Sequence, residues 1–131
     1  MNMKLRFLGK RAMKPTDTVD LIAWKGERIL VRLECAEFTS LCPVTRQPDF
    51  AAMTIEYVPA RHLVETKSLK LYLWRYRNAQ AFNEPLVDSI AADLYRQIQP
   101  CWLRVTGRFQ PRGGIAVTAV AERGREEYRP A

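Results

Sequence analysis

The sequence predicts an α+β fold with the element order β-β-α-α-β-β. Segments near both ends of the chain alternate apolar and polar residues with the period of two that is typical of strands. Two segments between them repeat apolar residues with helical spacing. The strands of each pair are joined by short connections rich in proline or glycine, so hairpins are expected instead of helical crossovers. We therefore expect an antiparallel four-stranded sheet with two helices covering one face.

The first pair of predicted strands covers residues 27–38 and 50–58. In the first strand the alternating apolar positions are Ile29, Val31, Leu33 and Cys35. The second strand is rich in residues that favour strands and ends at Pro59. Residues 1–26 show no clear periodicity, so we expect an irregular N-terminal arm followed by a single domain over residues 27–131.

Two helices are predicted over residues 68–77 and 84–97. The apolar face of the first consists of Leu69, Tyr72, Leu73 and Tyr76. That of the second consists of Val87, Ile90, Ala91, Leu94 and Ile98. Asn83 is a natural N-cap for the second helix, and Pro100 ends it.

The second pair of strands is predicted over residues 102–109 and 115–121. A turn containing Gly113 and Gly114 joins them. A sheet of four strands leaves two open edges, and natural proteins usually pair or protect such edges. We therefore expect a homo-oligomer in which subunits associate laterally into a ring.

Composition limits the partners of the protein. The chain has 131 residues, with 47% hydrophobic and 27% charged residues, as expected for one globular domain. It has no apolar run of ~20 residues and no secretory signal, so we predict a cytoplasmic protein that does not bind membranes. The net charge of +7 suggests an anionic partner, either nucleic acid or a phosphate-rich cofactor. Three cysteines without CxxC spacing and one histidine predict neither disulfides nor a metal site.

The loop between the first two strands contains the sequence TSLCPVTRQPD at residues 39–49. A free cysteine is most often a small buried apolar residue, and this interpretation suits Cys35 and Cys101 within their strands. Cys42 instead lies in a loop bounded by prolines, where functional residues concentrate. Asp49 is a candidate acid and Arg46 a candidate for stabilising the thiolate, so Cys42 is a candidate nucleophile.

Three further segments allow both a structural and a functional interpretation. The sequence ETKSLK at residues 65–70 can cap the first helix, or bind phosphate through free N–H groups, hydroxyls and two lysines. Arg112 at the tip of the glycine turn can face water or contact a phosphate. Glu84 can be a surface carboxylate that favours a helix start, or it can bind the N1–H and 2-amino groups of a guanine-like base.

Taken together, these motifs resemble the short form of the NADPH-dependent 7-cyano-7-deazaguanine reductases, the nitrile reductases of the queuosine pathway. The resemblance covers roughly residues 29–121 and preserves the order of the motifs. The motifs are EFTSLCPVT at 37–45, QPDF at 47–50, ETKSLK at 65–70, RN at 77–78 and PRGGI at 111–115.

The resemblance implies a tunnelling fold whose subunits form rings that are expected to stack, with active sites between subunits. It implies that Cys42 adds to the nitrile to give a covalent thioimide, that Asp49 supplies the proton, and that two NADPH molecules reduce the adduct to the aminomethyl product. The implied substrate-binding residues are Glu65, Ser68, Asn83 and Glu84. The implied cofactor-binding residues are Lys67, Lys70, Arg112 and Gly113.

Two departures from the family pattern leave alternatives open. Asn83 stands where the family has a histidine, and asparagine cannot relay a proton near neutral pH. Arg46 stands where the family usually has a glycine. One alternative is an amidinotransferase that forms the same thioimide but adds ammonia to a nitrile base in tRNA. The other is a non-catalytic protein that binds deazapurines. A stable nucleic-acid partner is expected only for the amidinotransferase.

Overall fold

A computed structural model describes residues 5–9 and 14–131 of the chain and has the predicted α+β architecture. Its strands are β1 (Leu21–Ala23), β2 (Val31–Leu41), β3 (Pro48–Val58), β4 (His62–Val64), β5 (Trp102–Phe109) and β6 (Thr118–Gly124). Its α-helices are α1 (Thr66–Trp74), which continues as a 3-10 helix over Arg75–Asn78, and α2 (Asn83–Ile98). A short 3-10 helix over Glu126–Tyr128 follows β6.

The main sheet has the strand order β2-β3-β5-β6, and all its neighbouring strands are antiparallel. Both helices cover one face, α2 lying against β5 and β6 and α1 against β2. The core between these layers is apolar and includes Met53, Ile55, Tyr57, Leu103 and Val105 from the sheet. The apolar positions predicted for the two helices are all buried. The fold class, the two hairpins and the apolar helix faces are therefore confirmed.

β2 differs from its predicted range because it contains a β-bulge. It begins four residues later than predicted and extends to Leu41. The pairing register with β3 shifts between Cys35 and Phe38. Since a bulge inserts one extra residue, the inward-facing positions change from odd to even numbers, and Phe38 and Ser40 become buried. The bulge therefore determines which side chains face the core just before Cys42.

β6 begins three residues later than predicted. The two-residue turn before it is closed by its own pair of hydrogen bonds, and the chain does not return to the main sheet directly after that turn. Arg112 and Ile115 exchange backbone hydrogen bonds of 3.0 and 3.1 Å around Gly113 and Gly114. The φ angles of the two glycines are +59° and +82°, which this two-residue turn requires. The chain rejoins the sheet only at Val117, whose carbonyl accepts from Phe109 N–H at 2.9 Å.

Two local expectations were wrong. The N-terminal arm, expected to be irregular up to residue 26, contains β1, which pairs with β4 outside the main sheet. Asn83 is not the N-cap of α2, because the helix already includes it and the capping position is Phe82, which makes no side-chain capping bond. Residues 1–4 and 10–13 of the expected arm lie outside the described residues. None of the described helices combines the length and apolar character needed to cross a membrane.

Candidate active site

Cys42 is the first residue after β2, in the connection to β3. Its N–H donates to the Gln47 carbonyl at 2.9 Å, and its own carbonyl accepts from Arg46 N–H at 2.9 Å. These two bonds close a compact loop over residues 42–47. Cys35, Cys42 and Cys101 are all free thiols, and Cys101 is buried while Cys42 is partly exposed at the loop. The loop therefore presents a thiol at the end of a sheet hairpin.

The loop also stabilises the thiolate form of Cys42. The Thr45 hydroxyl makes the largest contribution, followed by the backbone N–H groups of Thr45 and Val44, and Arg112 adds a smaller one. These donors outweigh slight burial and lower the pKa of the thiol to about 7. A substantial fraction of Cys42 is therefore thiolate at neutral pH, which is the reactive form.

Asp49 lies on β3 beside the loop. It pairs in register with Ser40, is 7% exposed, and forms an ion pair of 3.1 Å with Arg112 Nη1. An open pocket of about 410 Å³ is lined by both members of this pair, together with Gln47 and Phe50. The two predicted catalytic residues thus lie on one hairpin, Cys42 in its connection and Asp49 on β3.

A short segment before α2 anchors the helix start to the same hairpin. Leu41 N–H donates to the Ala79 carbonyl at 3.0 Å, and Ala81 N–H donates to the Leu41 carbonyl at 3.1 Å. Leu41 precedes Cys42, and Asn83 follows Ala81 by two residues. The start of α2, with Asn83 and the exposed Glu84, is therefore tied directly to the strand that carries the thiol.

Two buried polar atoms in this region have no hydrogen-bond partner within the described part of the chain. They are Asn83 Oδ1 at the start of α2 and Ser40 Oγ on β2. A buried acceptor without a partner destabilises the folded state by about 1–3 kcal/mol. Such groups are therefore rare in native proteins and are candidates for ligand contacts. Asn83 Oδ1 can accept a hydrogen bond from an N–H group of a substrate. The amide thus has a free acceptor where a helix cap had been expected.

Backbone N–H groups at the start of α1 are hydrogen-bonded by a side chain of the protein itself. Both Glu65 carboxylate oxygens accept backbone hydrogen bonds, from Lys67 N–H at 2.7 Å and Ser68 N–H at 2.9 Å. The Ser68 hydroxyl accepts from Asp20 N–H and donates to the Glu65 carbonyl, both at 2.8 Å. Of the two interpretations of this segment, the structure shows the capping one, because Glu65 occupies two of the N–H groups. The lysine side chains remain candidates for an anion contact at this helix start.

The predicted cofactor residues fall into two separate places. An open groove of about 1000 Å³ lies between β2 and α1, and its lining includes Lys67, Lys70, Trp74 and Arg77. Neither Arg112 nor Gly113 is among the residues that line it. Gly113 belongs to the tight turn, where its positive φ is a requirement of the backbone.

Sequence reasoning missed two residues of the Cys42 loop. Thr45 lowers the pKa of the thiol, and Gln47 binds both the Cys42 backbone and the Arg112 side chain. Both lie within the quoted motif, but no contact was assigned to either of them. The signal that could have identified Thr45 is its hydroxyl three residues after a loop cysteine, whereas no local signal indicated Gln47.

Comparison with known proteins finds close relatives. A family model described as QueF-like protein matches residues 48–128. A relative from Halorhodospira halophila named NADPH-dependent 7-cyano-7-deazaguanine reductase is 51% identical over 92 residues, which are 70% of this chain and 78% of the relative. Relatives of the same name from Helicobacter pylori (strain P12) and Bacteroides fragilis are 49% and 54% identical over 100 and 95 residues. These alignments cover 76% and 72% of this chain, and 68% and 63% of those relatives.

A solved structure has the same fold. It is described as the archaeosine synthase QueF-Like in the apo form, with a TM-score of 0.69 and 26% identity. The match covers 73% of this chain and 94% of that chain. With the family model spanning more than half of the sequence and relatives near 50% identity, this chain belongs to the QueF-like protein family.

Proposed function

We propose that this protein is an NADPH-dependent nitrile reductase that converts 7-cyano-7-deazaguanine to 7-aminomethyl-7-deazaguanine, a step of queuosine biosynthesis. The observation that carries the proposal is the Cys42 thiol, whose pKa is lowered to about 7 and which lies on the same hairpin as the buried carboxylate of Asp49. Relatives near 50% identity bear the name of this activity. Together these support the catalytic roles of Cys42 and Asp49.

The first step is addition of the thiol to the nitrile. Cys42 Sγ attacks the electrophilic nitrile carbon, a C–S bond forms, and one π-electron pair of the C≡N bond moves to nitrogen. Asp49 accepts the thiol proton and passes it to that nitrogen, so the product is a neutral thioimide. Asp49 is suited to this transfer because its carboxylate is held in place by Arg112.

The substrate base is held by the start of α2 in this proposal. Glu84 accepts from the N1–H and 2-amino groups of the deazaguanine, and Asn83 Oδ1 supplies a further acceptor. Glu65 is proposed to contact the base through the lone pairs that its helix-capping bonds leave available. Ser68 contributes by fixing the Glu65 backbone, because its hydroxyl is already engaged within the protein.

The groove between β2 and α1 fits a phosphate-rich cofactor. Its volume of about 1000 Å³ matches the upper range of ligand sites, and Lys67 and Lys70 place positive charge along it. NADPH, when bound, supplies a hydride, and reduction of a nitrile to an amine consumes two hydrides and two protons. The two lysines are therefore proposed to bind the cofactor phosphates.

Incubation with 7-cyano-7-deazaguanine in the absence of NADPH tests the covalent step. Intact-protein mass spectrometry should show a mass increase equal to the nitrile base, and Cys42→Ser should show none. Cys101→Ser is the matched control, because its thiol is buried beside Pro59, and it should retain the adduct. Absence of an adduct at saturating nitrile would reject the proposal. NADPH oxidation by the unmodified protein then tests reduction itself.

The second candidate is the amidinotransferase activity, which the structural match to an archaeosine synthase favours. It shares the Cys42 thioimide but ends with ammonia adding to a nitrile base in tRNA. Incorporation of labelled ammonia into nitrile-bearing tRNA, measured beside NADPH oxidation, separates the two. The ETKSLK segment at residues 65–70, which belongs to the motif pattern of the NADPH-dependent reductases, supports the reductase.

We also propose that the subunits form a ring. β2 and β6 are the edge strands of the main sheet, so each subunit offers one unpaired edge at either side. Light scattering after gel filtration should give a mass several times 15.2 kDa. A monomer at micromolar concentration would contradict the ring.

A further inference from the structure

The turn between β5 and β6 reaches the Cys42 loop through one side chain. Arg112 begins the turn, and its backbone is fixed by the two hydrogen bonds that it exchanges with Ile115. The positive φ angles of Gly113 and Gly114 make this turn tight. Its guanidinium group is therefore presented from a rigid backbone, which lowers the entropy lost in forming contacts.

Within residues 5–9 and 14–131, the ion pair and hydrogen bonds of the Arg112 guanidinium go to the segment between Cys42 and Asp49. Nη1 lies 3.1 Å from Asp49 Oδ1, and Nη2 donates to Gln47 Oε1 at 2.8 Å. Nη2 also lies 3.5 Å from Thr45 Oγ1. The planar fork of arginine is suited to binding several acceptors at once, which the ammonium of lysine cannot do in the same geometry.

These contacts connect Arg112 to both proposed reacting groups. The Asp49 side chain is 8% exposed, and its Oδ1 lies 3.1 Å from Arg112 Nη1. Thr45, which Arg112 touches, makes the largest contribution to the lowered pKa of Cys42. Gln47, which Arg112 also binds, accepts the Cys42 N–H with its carbonyl.

We propose that Arg112 is a positioning residue for the thiol chemistry, binding Asp49, Gln47 and Thr45 so that acid and nucleophile keep a fixed arrangement. This assigns it a role different from the phosphate contact that the sequence suggested. The Arg112 guanidinium binds side chains of the Cys42–Asp49 segment. Arg112 is not among the residues that line the groove with Lys67 and Lys70. The inference rests on the proposed function, since it takes Cys42 and Asp49 as the reacting groups.

The segment from Cys42 to Asp49 contains two charged side chains. Arg46 lies in the loop itself and is exposed, and Asp49 faces the loop from β3. The segment that bonds to Leu41 contributes Ala79, Gln80 and Ala81, which carry no titratable side chain. Arg112 thus supplies a positive charge to this segment from a distant part of the chain, 63 residues after Asp49.

The test is the pH dependence of Cys42 alkylation by iodoacetamide, with peptide mass spectrometry to assign the label to Cys42. In Arg112→Gln the midpoint should move upward by about 0.5 to 1 pH unit, because a positive charge and the support of Thr45 are lost. Arg112→Lys should recover part of this shift, since it restores charge without the fork. Arg123→Gln is the matched control, because Arg123 pairs with Asp88 on α2 instead of the loop.

Kinetics with NADPH separate positioning from cofactor binding. Arg112→Gln should lower kcat for nitrile reduction by at least tenfold with KM for NADPH changed less than threefold, whereas Lys70→Gln should mainly raise that KM. An unchanged alkylation profile in Arg112→Gln, an equal shift in Arg123→Gln, or an effect confined to KM for NADPH would overturn the inference. The alkylation arm needs no nitrile, so it decides the role of Arg112 even if the adduct experiment rejects the proposed function.

Discussion

The reactivity of Cys42 is determined by groups within a few residues of it. Its carbonyl and N–H are both engaged in the loop, and its thiol is surrounded by the donors of Thr45 and Val44. The chemistry therefore depends on the loop keeping its shape. Two substitutions in this loop test different parts of that dependence.

Thr45→Val should raise the pKa of the Cys42 thiol, because it removes the hydroxyl that lowers this pKa most. Below its pKa the thiol is mostly protonated and unreactive, so the alkylation rate at pH 7 should fall about three- to tenfold. At pH 10 both proteins should react at similar rates. Thr118→Val on β6 is the matched control, and a wild-type rate for Thr45→Val at pH 7 would contradict this assignment.

Arg46→Gly should stabilise the protein. Arg46 has a φ angle of +61°, in the left-handed region that costs a residue with a Cβ about 1–2 kcal/mol. Glycine removes this cost but loses more entropy on folding, so we expect a net gain of about 0.5–1 kcal/mol in the free energy of unfolding. Urea denaturation measures it. Val44→Gly, at an exposed position without positive φ, should instead destabilise the protein.

At the scale of secondary-structure elements, glycines decide where β6 begins and ends. Gly113 and Gly114 form the turn before it, and Gly124 ends it. All three have positive φ angles, but their surroundings differ. A Cβ on Gly124 would lie 2.6 Å from the Cys101 carbonyl oxygen and 2.7 Å from Trp102 Cα, whereas one on Gly113 would meet nothing within 4 Å.

Gly124→Ala should therefore destabilise the protein more than Gly113→Ala. We expect about 1 kcal/mol for Gly113→Ala, from backbone strain alone, and more than about 3 kcal/mol for Gly124→Ala, because backbone atoms of the neighbouring strand must move. Thermal or urea unfolding of the two variants measures the difference. Equal decreases in the free energy of unfolding would mean that the backbone of β5 at Trp102 can move to accommodate the added Cβ at little cost.

At the scale of the whole molecule, a ladder of alternating charges crosses all four strands on the sheet face opposite the helices. Arg32, Glu56, Arg104 and Glu122 are partners in register on β2, β3, β5 and β6. Glu56 lies 3.2 Å from Arg32 and 3.0 Å from Arg104, and Arg129 extends the ladder by binding Glu122 at 3.1 Å. Glu56 is only 5% exposed, so this interaction is stronger than an ordinary surface pair.

Glu56→Gln should destabilise the protein by about 1–3 kcal/mol at pH 7, with an effect that depends on pH. Burial by itself would raise the pKa of Glu56, but the Arg104 and Arg32 guanidinium groups outweigh it and lower this pKa below its usual 4.5. A lowered pKa in the folded state means that the stabilisation is present above about pH 4.5 and is lost as the pH falls further.

The difference in unfolding free energy between the wild type and Glu56→Gln should therefore shrink between about pH 4.5 and pH 3. Glu126→Gln, whose side chain is 89% exposed, is the control and should change stability by less than about 0.5 kcal/mol. A Glu56→Gln effect that stays constant down to pH 3 would show that packing, and not charge, accounts for it.

The sequence by itself determined the order of the two helices and the four strands of the main sheet, the α+β class, the apolar faces of both helices and the full extent of β5. It also singled out Cys42 and Asp49 within one hairpin. These features depend on local periodicity and turn residues, whose physical effects act over a few neighbouring positions.

Only the tertiary structure decided the bulge in β2, the delayed start of β6, the pairing of β1 with β4, the contacts of Glu65 and Arg112, and the unpaired Oδ1 of Asn83. A bulge depends on pairing with the neighbouring strand, and Arg112 meets Asp49 across 63 residues of chain. The capping of α1 by Glu65 was one of two local possibilities, and the packed helix start selected it. Side chains with several possible partners are assigned by the three-dimensional arrangement, because long-range proximity leaves no periodic signal in a single sequence.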